Sequence, residues 1–191
     1  MRPYLTFAMV APLASFGAIA AGERRDGWDR PARSAVLGLV AACLGLTRED
    51  EEGQGVLARG YGLAVLCHAS GGLMTDYHTV QSGRPRRNWR PATRAEELSD
   101  SNGLDTILTR RDYRAGAWHL GALWQREDTA PWTLEAIAGA MEKPFFTPSI
   151  GRKCCPPGLP LAPRVTEASD APSALRERHR TGPETLIRAG D

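Results

Sequence analysis

The sequence predicts a single α+β domain, and three observations support this prediction. The chain has 191 residues, 42% of them hydrophobic, which is enough for one core with one inserted subdomain. Short apolar runs typical of strands alternate with apolar runs at helical spacing. Their order is strand, helix, strand, inserted hairpin, strand, helix, strand. A ferredoxin-like βαββαβ unit has this order, so we expect residues 1–166 to form such a palm and residues 81–107 to be its inserted thumb hairpin.

The first half of the palm begins with an apolar strand and continues with a buried helix. Residues 4–10 are almost entirely apolar and stop short of Pro12, which predicts a buried first strand. Residues 31–44 are apolar on nearly every side, so we expect a helix that is buried between the sheet and a partner surface. Ser34 is a candidate cap for that helix. Thr47 with Asp50 resembles a capping arrangement, which predicts a short acidic helix that ends near Arg59.

The remaining strands are predicted from apolar content and from turn residues between them. Residues 61–67 form the second strand, and residues 73–80 continue as extended structure after a pair of glycines. After the insertion, residues 107–113 return toward the palm and residues 117–124 form a strand that is apolar on both faces. Residues 159–166 supply one last strand, punctuated by prolines.

A second helix and a polar tail complete the expected organisation. The helix begins near Pro131, and its buried stripe has helical spacing at Leu134, Ile137, Ala138 and Met141. Residues 167–191 are polar, and we expect them to be a disordered or truncated tail.

The strongest chemical signal is a block of arginines in and before the insertion. The whole chain has a net charge of only +2, but residues 77–94 contain five arginines and no acidic residue. Guanidinium groups bind phosphates and aromatic rings stack on bases, so this composition suits a single-stranded nucleic acid. The alternative is a solvated loop whose charge maintains solubility. The residues concerned are Tyr77, His78, Arg84, Arg86, Arg87, Trp89, Arg90 and Arg94.

Two further places in the sequence could bind an anion. Arg33 and Ser34 lie at the start of the apolar helix, where free backbone N–H groups and the helix dipole favour negative charge. Residues 147–153 form a glycine-bearing loop that ends in Arg152 and Lys153 and could grip a phosphate. Each place also has a purely structural interpretation: Ser34 could simply cap the helix, and residues 147–153 could simply form a turn.

Signals for catalysis, metal binding and secretion are weak. The sequence has no nucleophile-elbow or zinc-protease motif, and its four cysteines include no Cys-x-x-Cys pair, so we predict no metal site and no cofactor. His68 and His119 are expected to pack within strands. His78 could act as a general acid or base in a metal-free ribonuclease, which is the alternative function. The apolar N-terminus could pass for a signal peptide, but Pro12 interrupts it, and we expect a cytoplasmic protein.

Six segments, taken together, carry a family resemblance over roughly residues 1–170. The segments are APLASFG at residues 11–17, PARSAVLGL and ACLG at residues 31–39 and 42–45, DYHTV at residues 76–80, TRRDY at residues 109–113, and KPFFTPSIGRKCCP at residues 143–156. With them the sequence resembles the CasD family, a subunit of the CRISPR-associated Cascade complex of subtype I-E. Phe16 stands where that family usually has tryptophan, and relatives continue beyond the position of Asp191.

The resemblance implies a non-catalytic protein that binds the five-prime handle of the CRISPR guide RNA. It also implies contact with the large subunit CasA and with the nearest CasC backbone subunit, and no contact with a membrane. A related subtype cleaves RNA with a tyrosine and a Lys-His pair, and this sequence has no Lys-His dipeptide. Besides the arginine block, the residues expected to contact RNA are Arg25, Arg33, Ser34, Arg110, Arg111, Arg152 and Lys153.

Overall fold

A computed structural model describes residues 1–17, 24–84, 90–99, 103–126 and 130–181 of the chain. These residues form a mixed α+β structure with one six-stranded sheet and five helices. The α+β class is therefore confirmed. The strands are β1 (Arg2–Ala14), β2 (Arg24–Arg25), β3 (Tyr61–Ala69), β4 (Gly72–Gly83), β5 (Leu104–Gln125) and β6 (Arg164–Ala168). The helices are α1 (Arg33–Leu44), α2 (Glu51–Gly60), α3 (Arg94–Glu97), α4 (Leu134–Glu142) and α5 (Ala171–Arg180).

Strand β5 organises the sheet because it is long enough to pair with four other strands. Strand β1 runs antiparallel along one edge of it, from Leu5 opposite Leu123 to Ala14 opposite Arg114. On the other edge, β3 pairs with the C-terminal half of β5 and β4 pairs with the N-terminal half. Strand β6 pairs with the free edge of β1. The two β5 segments predicted from the sequence, 107–113 and 117–124, are therefore one continuous strand.

The paired strands β4 and 104–115 of β5 form a two-stranded hairpin, called the arm from here on. Its register runs without a break from Gly72 opposite Ala115 to Gly83 opposite Leu104. Most of its side chains are exposed on both faces, which is why the sequence lacks the period of a half-buried strand there. The short β2 pairs in parallel with β5 at Arg110 and Arg111, on the edge that β4 leaves free.

Helices α1 and α4 cover one face of the sheet and enclose the main core. Phe7, Met9 and Leu123 point from the sheet into this core, together with Val40 of α1 and Ile137 of α4. Helix α1 is apolar on most sides, as predicted, because it packs on both the sheet and α4. The predicted stripe of α4 is also confirmed, since three of its four residues are buried.

The opposite face of the sheet is covered by α5, which lies in the segment predicted from its composition to be a disordered or truncated tail. Asp170 caps α5 by accepting a hydrogen bond from the backbone N–H of Ser173 at 2.7 Å. Ala174 and Leu175 are buried against the sheet. The helix was missed because its buried side is made of small residues and of Arg178, which a polar composition conceals. Residues 182–191 of the expected tail lie outside the described residues.

Several predicted boundaries differ from the structure. The last strand, predicted at residues 159–166, is Arg164–Ala168, and α2 is capped by Asp50 rather than by Thr47. Strand β1 continues through Pro12 to Ala14, because no β5 partner requires a hydrogen bond from residue 12. Ser34 does not cap α1: Ala32 is the capping position, without a side-chain hydrogen bond, and Ser34 is exposed in the first turn. Helix α4 begins at Leu134 because Thr133 caps it.

Candidate nucleic-acid interface

A cleft of about 1030 Å³ lies between α1 and the loop at residues 147–153. Its floor is the exposed side of α1, where Gly38 has no side chain and a Cβ at that position would meet nothing within 4 Å. Its rim carries Ser34 from α1 and Arg152 and Lys153 from the loop. Two of the three anion-binding places predicted from the sequence therefore meet in one cleft.

The loop that carries Arg152 and Lys153 is held in place through its backbone. The N–H of Ile150 donates to the carbonyl of Cys155 at 2.7 Å, and the N–H of Cys155 donates to the carbonyl of Arg152 at 2.8 Å. Gly151 allows the loop to pass against β1, since its φ is 98° and a Cβ there would lie 1.7 Å from the carbonyl oxygen of Ser15. Burial raises the pKa of the Cys155 thiol to about 11, so this cysteine is a neutral packing residue.

Arg152 connects the cleft to the base of the arm. Its guanidinium donates to the carbonyl of Asp112 at 3.1 Å and to the carbonyl of Arg25 at 3.4 Å. It also lies over the ring of Tyr113, 4.7 Å from the centroid. The Tyr113 hydroxyl in turn lies 3.7 Å from the Sγ of Cys154. The Arg152 side chain thus connects the loop at residues 147–153 with strand β2 and with the arm.

The register of the arm distributes its arginines over both faces. Arg111 is paired with Arg25 on one side and Asp76 on the other, so these side chains share the face that carries Tyr113. Arg110 is paired with Tyr77 and its guanidinium lies 5.6 Å from the centroid of that ring, on the opposite face. The face of Arg111 is also the face on which α1 and the cleft lie, since alternate β5 residues such as Ala117 and Leu123 enter the core there.

His78 makes a close contact with a carboxylate on the arm. Its Nδ1 lies 2.8 Å from the Oδ2 of Asp76, and the imidazole is exposed. A carboxylate on one ring nitrogen orients the imidazole and leaves the other nitrogen to face solvent. This arrangement could bind a ribose or phosphate oxygen, or could move a proton.

The arginine block near the end of the arm is only partly described, and two of its described arginines contact acidic groups. Arg84 pairs with Asp105 at 2.8 Å, and Arg94 pairs with Glu97 at 2.6 Å. The hydrogen bond from Arg94 lowers the pKa of the Glu97 carboxyl. Such exposed pairs are weak and can exchange for a phosphate. Arg90 is exposed, whereas Arg86, Arg87 and Trp89 lie outside the described residues.

Arg33 lies away from the lining of the cleft. Its guanidinium donates to the carbonyls of Ala58 and Tyr61, both at 2.7 Å, and so satisfies acceptors at the junction of α2 and β3. Burial is the main cause that lowers the pKa of Arg33, followed by the charge of Arg126. The structure gives this arginine an intramolecular role that its neighbour Ser34 does not share.

Two residues next to this surface were not singled out by the sequence. Trp28 is 52% exposed, and its carbonyl accepts a hydrogen bond from Arg114 at 3.2 Å. Both lie beside the paired arginines of β2 and β5. In the sequence, the available signal for this site was a tryptophan in an arginine-bearing loop. The parallel pairing of β2 with β5, which places this loop against the arm, cannot be predicted from local sequence.

Comparisons with known proteins identify the family of this chain. Residues 4–187 match the family described as "CRISPR-associated protein (Cas_Cas5)". The chain belongs to this Cas5 family. It is 31% identical over 183 residues to "CRISPR system Cascade subunit CasD" of Escherichia coli (strain K12), a match that covers 92% of this chain and 76% of that protein. The family relationship inferred from the six sequence segments is therefore confirmed.

Two solved structures resemble this Cas5-family chain. One is a chain of a "CRISPR RNA-guided surveillance complex", with a TM-score of 0.62 and 28% identity, covering 83% of this chain. This Cas5-family chain spans 61% of that chain's length. The other is described as "Crystal structure of Cas protein", with a TM-score of 0.56 and 26% identity, covering 90% of this chain and 69% of the other.

The described part of the chain also offers two structural absences. None of its helices is both long and apolar enough to cross a membrane. Nor does it bring three or more histidine, cysteine or acidic side chains together as a metal site.

Proposed function

We propose that this chain is a non-catalytic subunit of a subtype I-E CRISPR surveillance complex, Cascade. In that complex it binds the five-prime handle of the guide RNA and caps the backbone, in antiviral defence. Membership of the Cas5 family and the likeness to a protein named as a Cascade subunit support the proposal. So does the likeness to a chain of an RNA-guided surveillance complex.

The single observation that carries the proposal is the continuity between cleft and arm through Arg152. The cleft supplies Lys153 and the flat side of α1 around Gly38, and the arm supplies Arg111 beside Arg25 on the same face. A single-stranded RNA requires cations at the spacing of its phosphates and open surfaces for its bases. An RNA strand that enters the cleft and leaves along this face of the arm would meet both the cations and the open surfaces.

We infer that the domain is a ferredoxin-like palm of the RNA-recognition type, in residues 1–166 with a thumb at residues 81–107. The strand order β6-β1-β5-β3, all antiparallel, supports this inference, because it follows the order 4-1-3-2 of a βαββαβ unit. In the complex, the palm would contact the nearest CasC backbone subunit and the CasA large subunit. A complex assembled on guide RNA places the protein in the cytoplasm.

The salt dependence of RNA binding tests this function. The full chain is titrated with the repeat-derived single-stranded RNA at several salt concentrations. Arg111→Ala and Lys153→Ala are each expected to weaken binding and to flatten the salt dependence by about 0.7 per lost phosphate contact. Arg176→Ala is the matched control, since that exposed arginine lies on α5, on the opposite face. Equal slopes for all four proteins would contradict the proposed interface.

A metal-independent endoribonuclease is the second candidate, and the contact of His78 with Asp76 is the observation that favours it. Incubation with precursor guide RNA in EDTA distinguishes the two functions. We expect no cleavage. Cleavage by the wild-type chain that is lost in His78→Ala would establish the ribonuclease and overturn the non-catalytic assignment.

A further inference from the structure

Two histidines far apart in the sequence meet on the face of the sheet that is remote from the RNA cleft. His68 lies on β3, where the register with β5 shifts and so marks a bulge, and His179 lies in the last turn of α5. The Nδ1 of His68 is 2.7 Å from the Nε2 of His179. His68 also contacts Trp118, with ring centroids 3.8 Å apart and the ring planes tilted by 50°. His68 was expected to be packed within a strand, but it is exposed.

A contact of this length requires the two rings to share one proton. One imidazole nitrogen donates it and the other accepts it, because two protonated nitrogens would repel and two bare nitrogens would have no bond. A transition-metal ion can take the place of this hydrogen bond when the donor ring changes tautomer and carries its proton on its other nitrogen, since neutral imidazole is the form that binds metal. The tetrahedral geometry of zinc, with bonds of about 2.0–2.1 Å, requires the two nitrogens to stand about 3.3 Å apart.

The surroundings of the pair allow this small separation. His68 is exposed and lies at a bulge, so its ring can move without disturbing the core. His179 is only half-buried and ends the helix. The tilted contact with Trp118 holds the His68 ring on the α5 side of the sheet, next to the ring of His179.

We propose that His68 and His179 form a binding site for a divalent transition metal of the zinc class, which joins α5 to β3. Imidazole nitrogens select zinc, nickel or copper over magnesium and calcium, which prefer oxygen ligands. Water completes the coordination, since no third protein ligand gathers there in the described ranges. The neighbouring Glu177 is paired with Arg180 at 2.9 Å. Two protein ligands make this an exchangeable site rather than a closed structural one.

The metal would stabilise the native fold through the contact it adds between α5 and the sheet. A ligand that binds only the folded chain raises its stability in proportion to the logarithm of the ligand concentration over its dissociation constant. The inference is independent of RNA binding, because the site lies on the face opposite the cleft. Its test therefore needs no RNA.

Calorimetric titration of the full chain with Zn²⁺, after removal of any affinity tag, tests the site. We expect one ion to bind per chain and the thermal unfolding midpoint to rise with Zn²⁺ but not with Mg²⁺. His68→Gln and His179→Gln should each abolish both effects. Arg176→Gln is the matched control, an exposed residue on the same helix α5, and should leave both effects unchanged.

Two results would overturn the proposal. One is a wild-type chain that takes up no Zn²⁺ at a ratio of one per chain. The other is Zn²⁺ binding that persists in both histidine variants, which would place the ion elsewhere, for example on the exposed thiols of Cys67 or Cys154. Far-ultraviolet circular dichroism of each variant checks that the fold is retained, so loss of binding cannot be mistaken for unfolding.

Discussion

The guanidinium of Arg152 covers the ring of Tyr113 at 4.7 Å and thereby joins the cleft loop to the arm. We expect Arg152→Ala to weaken binding of the repeat-derived RNA more than Lys153→Ala does. The reason is that Arg152→Ala removes both a cation and the bridge that orients the arm, whereas Lys153→Ala removes only a cation. Binding isotherms of the two variants, measured at one salt concentration, provide the comparison.

Arg152→Lys separates the two contributions of that side chain. Lysine keeps the charge but lacks the planar fork that reaches Asp112 and Arg25 together. Its RNA affinity is therefore expected to fall between those of the wild type and Arg152→Ala. A lysine variant that binds as weakly as the alanine variant would mean that charge contributes nothing.

Gly151 has a position that only glycine can occupy, and we expect Gly151→Ala to destabilise the fold. Its φ of 98° and the overlap of a Cβ with the carbonyl oxygen of Ser15 predict a loss of at least about 2 kcal/mol in the free energy of unfolding. Gly139→Ala is the control, because it lies exposed on α4 with open space around a Cβ. That change is expected to gain about 0.5–1 kcal/mol from helix propensity. Denaturant unfolding of both variants gives the two values.

The buried His119 predicts a specific loss of stability in acid. Its ring is fully buried, and this burial lowers the pKa of His119 from 6.5 to about 4, with a smaller opposing effect of Asp29. His119 is protonated below about pH 6.5 in the unfolded chain but only below about pH 4 in the folded chain. Stability is therefore complete above pH 6.5 and falls as the pH drops, by up to roughly 3 kcal/mol at pH 4.

The measurement for His119 is the free energy of unfolding at pH 7 and pH 5 in the wild type and in His119→Leu. Leucine removes the titrating ring, so the variant should lose less stability than the wild type between these two values. Carboxylates titrate equally in both proteins and cancel in the difference. Identical pH dependence of the two proteins would show that His119 is not held neutral.

Much of the fold around α1 and α4 was predictable from the sequence because it follows local rules. Burial of α1 is predicted by its run of apolar residues. Burial of one side of α4 is predicted by the helical spacing of Leu134, Ile137 and Met141. Helix α5 was hidden because Ala174 and Arg178 form much of its buried side, and neither reads as a core residue in a polar segment. Asp170, which caps α5, was a sequence signal for the start of a helix that the prediction did not include.

The candidate site was predicted less well, for reasons of tertiary structure. Ser34, Arg152 and Lys153 were singled out separately, but only the packing of α1 against the loop shows that they share a cleft. Arg33 sits next to Ser34 in sequence, yet its side chain turns toward α2, because unsatisfied carbonyls at a helix end attract a guanidinium. No local pattern distinguishes these two outcomes.

Trp89 lies outside the described residues, and its role in stacking stays a prediction from its place among the arginines. If the ring stacks on a base of the handle, Trp89→Ala should lower the RNA binding free energy by about 1–3 kcal/mol. Trp89→Phe keeps a stacking surface and should lose less. An alanine variant with wild-type affinity would assign the ring to packing within the thumb.

Arg33 offers a test of whether an arginine in a family segment supports the fold or contacts RNA. The resemblance implies RNA contact, whereas the structure shows two charge-assisted hydrogen bonds to the carbonyls of Ala58 and Tyr61. We expect Arg33→Ala to lower the free energy of unfolding of the RNA-free chain by about 1–2 kcal/mol, since these bonds are partly exposed. Ser34→Ala, at the exposed rim of the cleft, should leave that free energy nearly unchanged and weaken RNA binding instead. Unfolding measured without RNA, together with RNA titration, separates the two roles in both variants. An Arg33→Ala chain with wild-type stability but weak RNA binding would show that Arg33 contacts RNA.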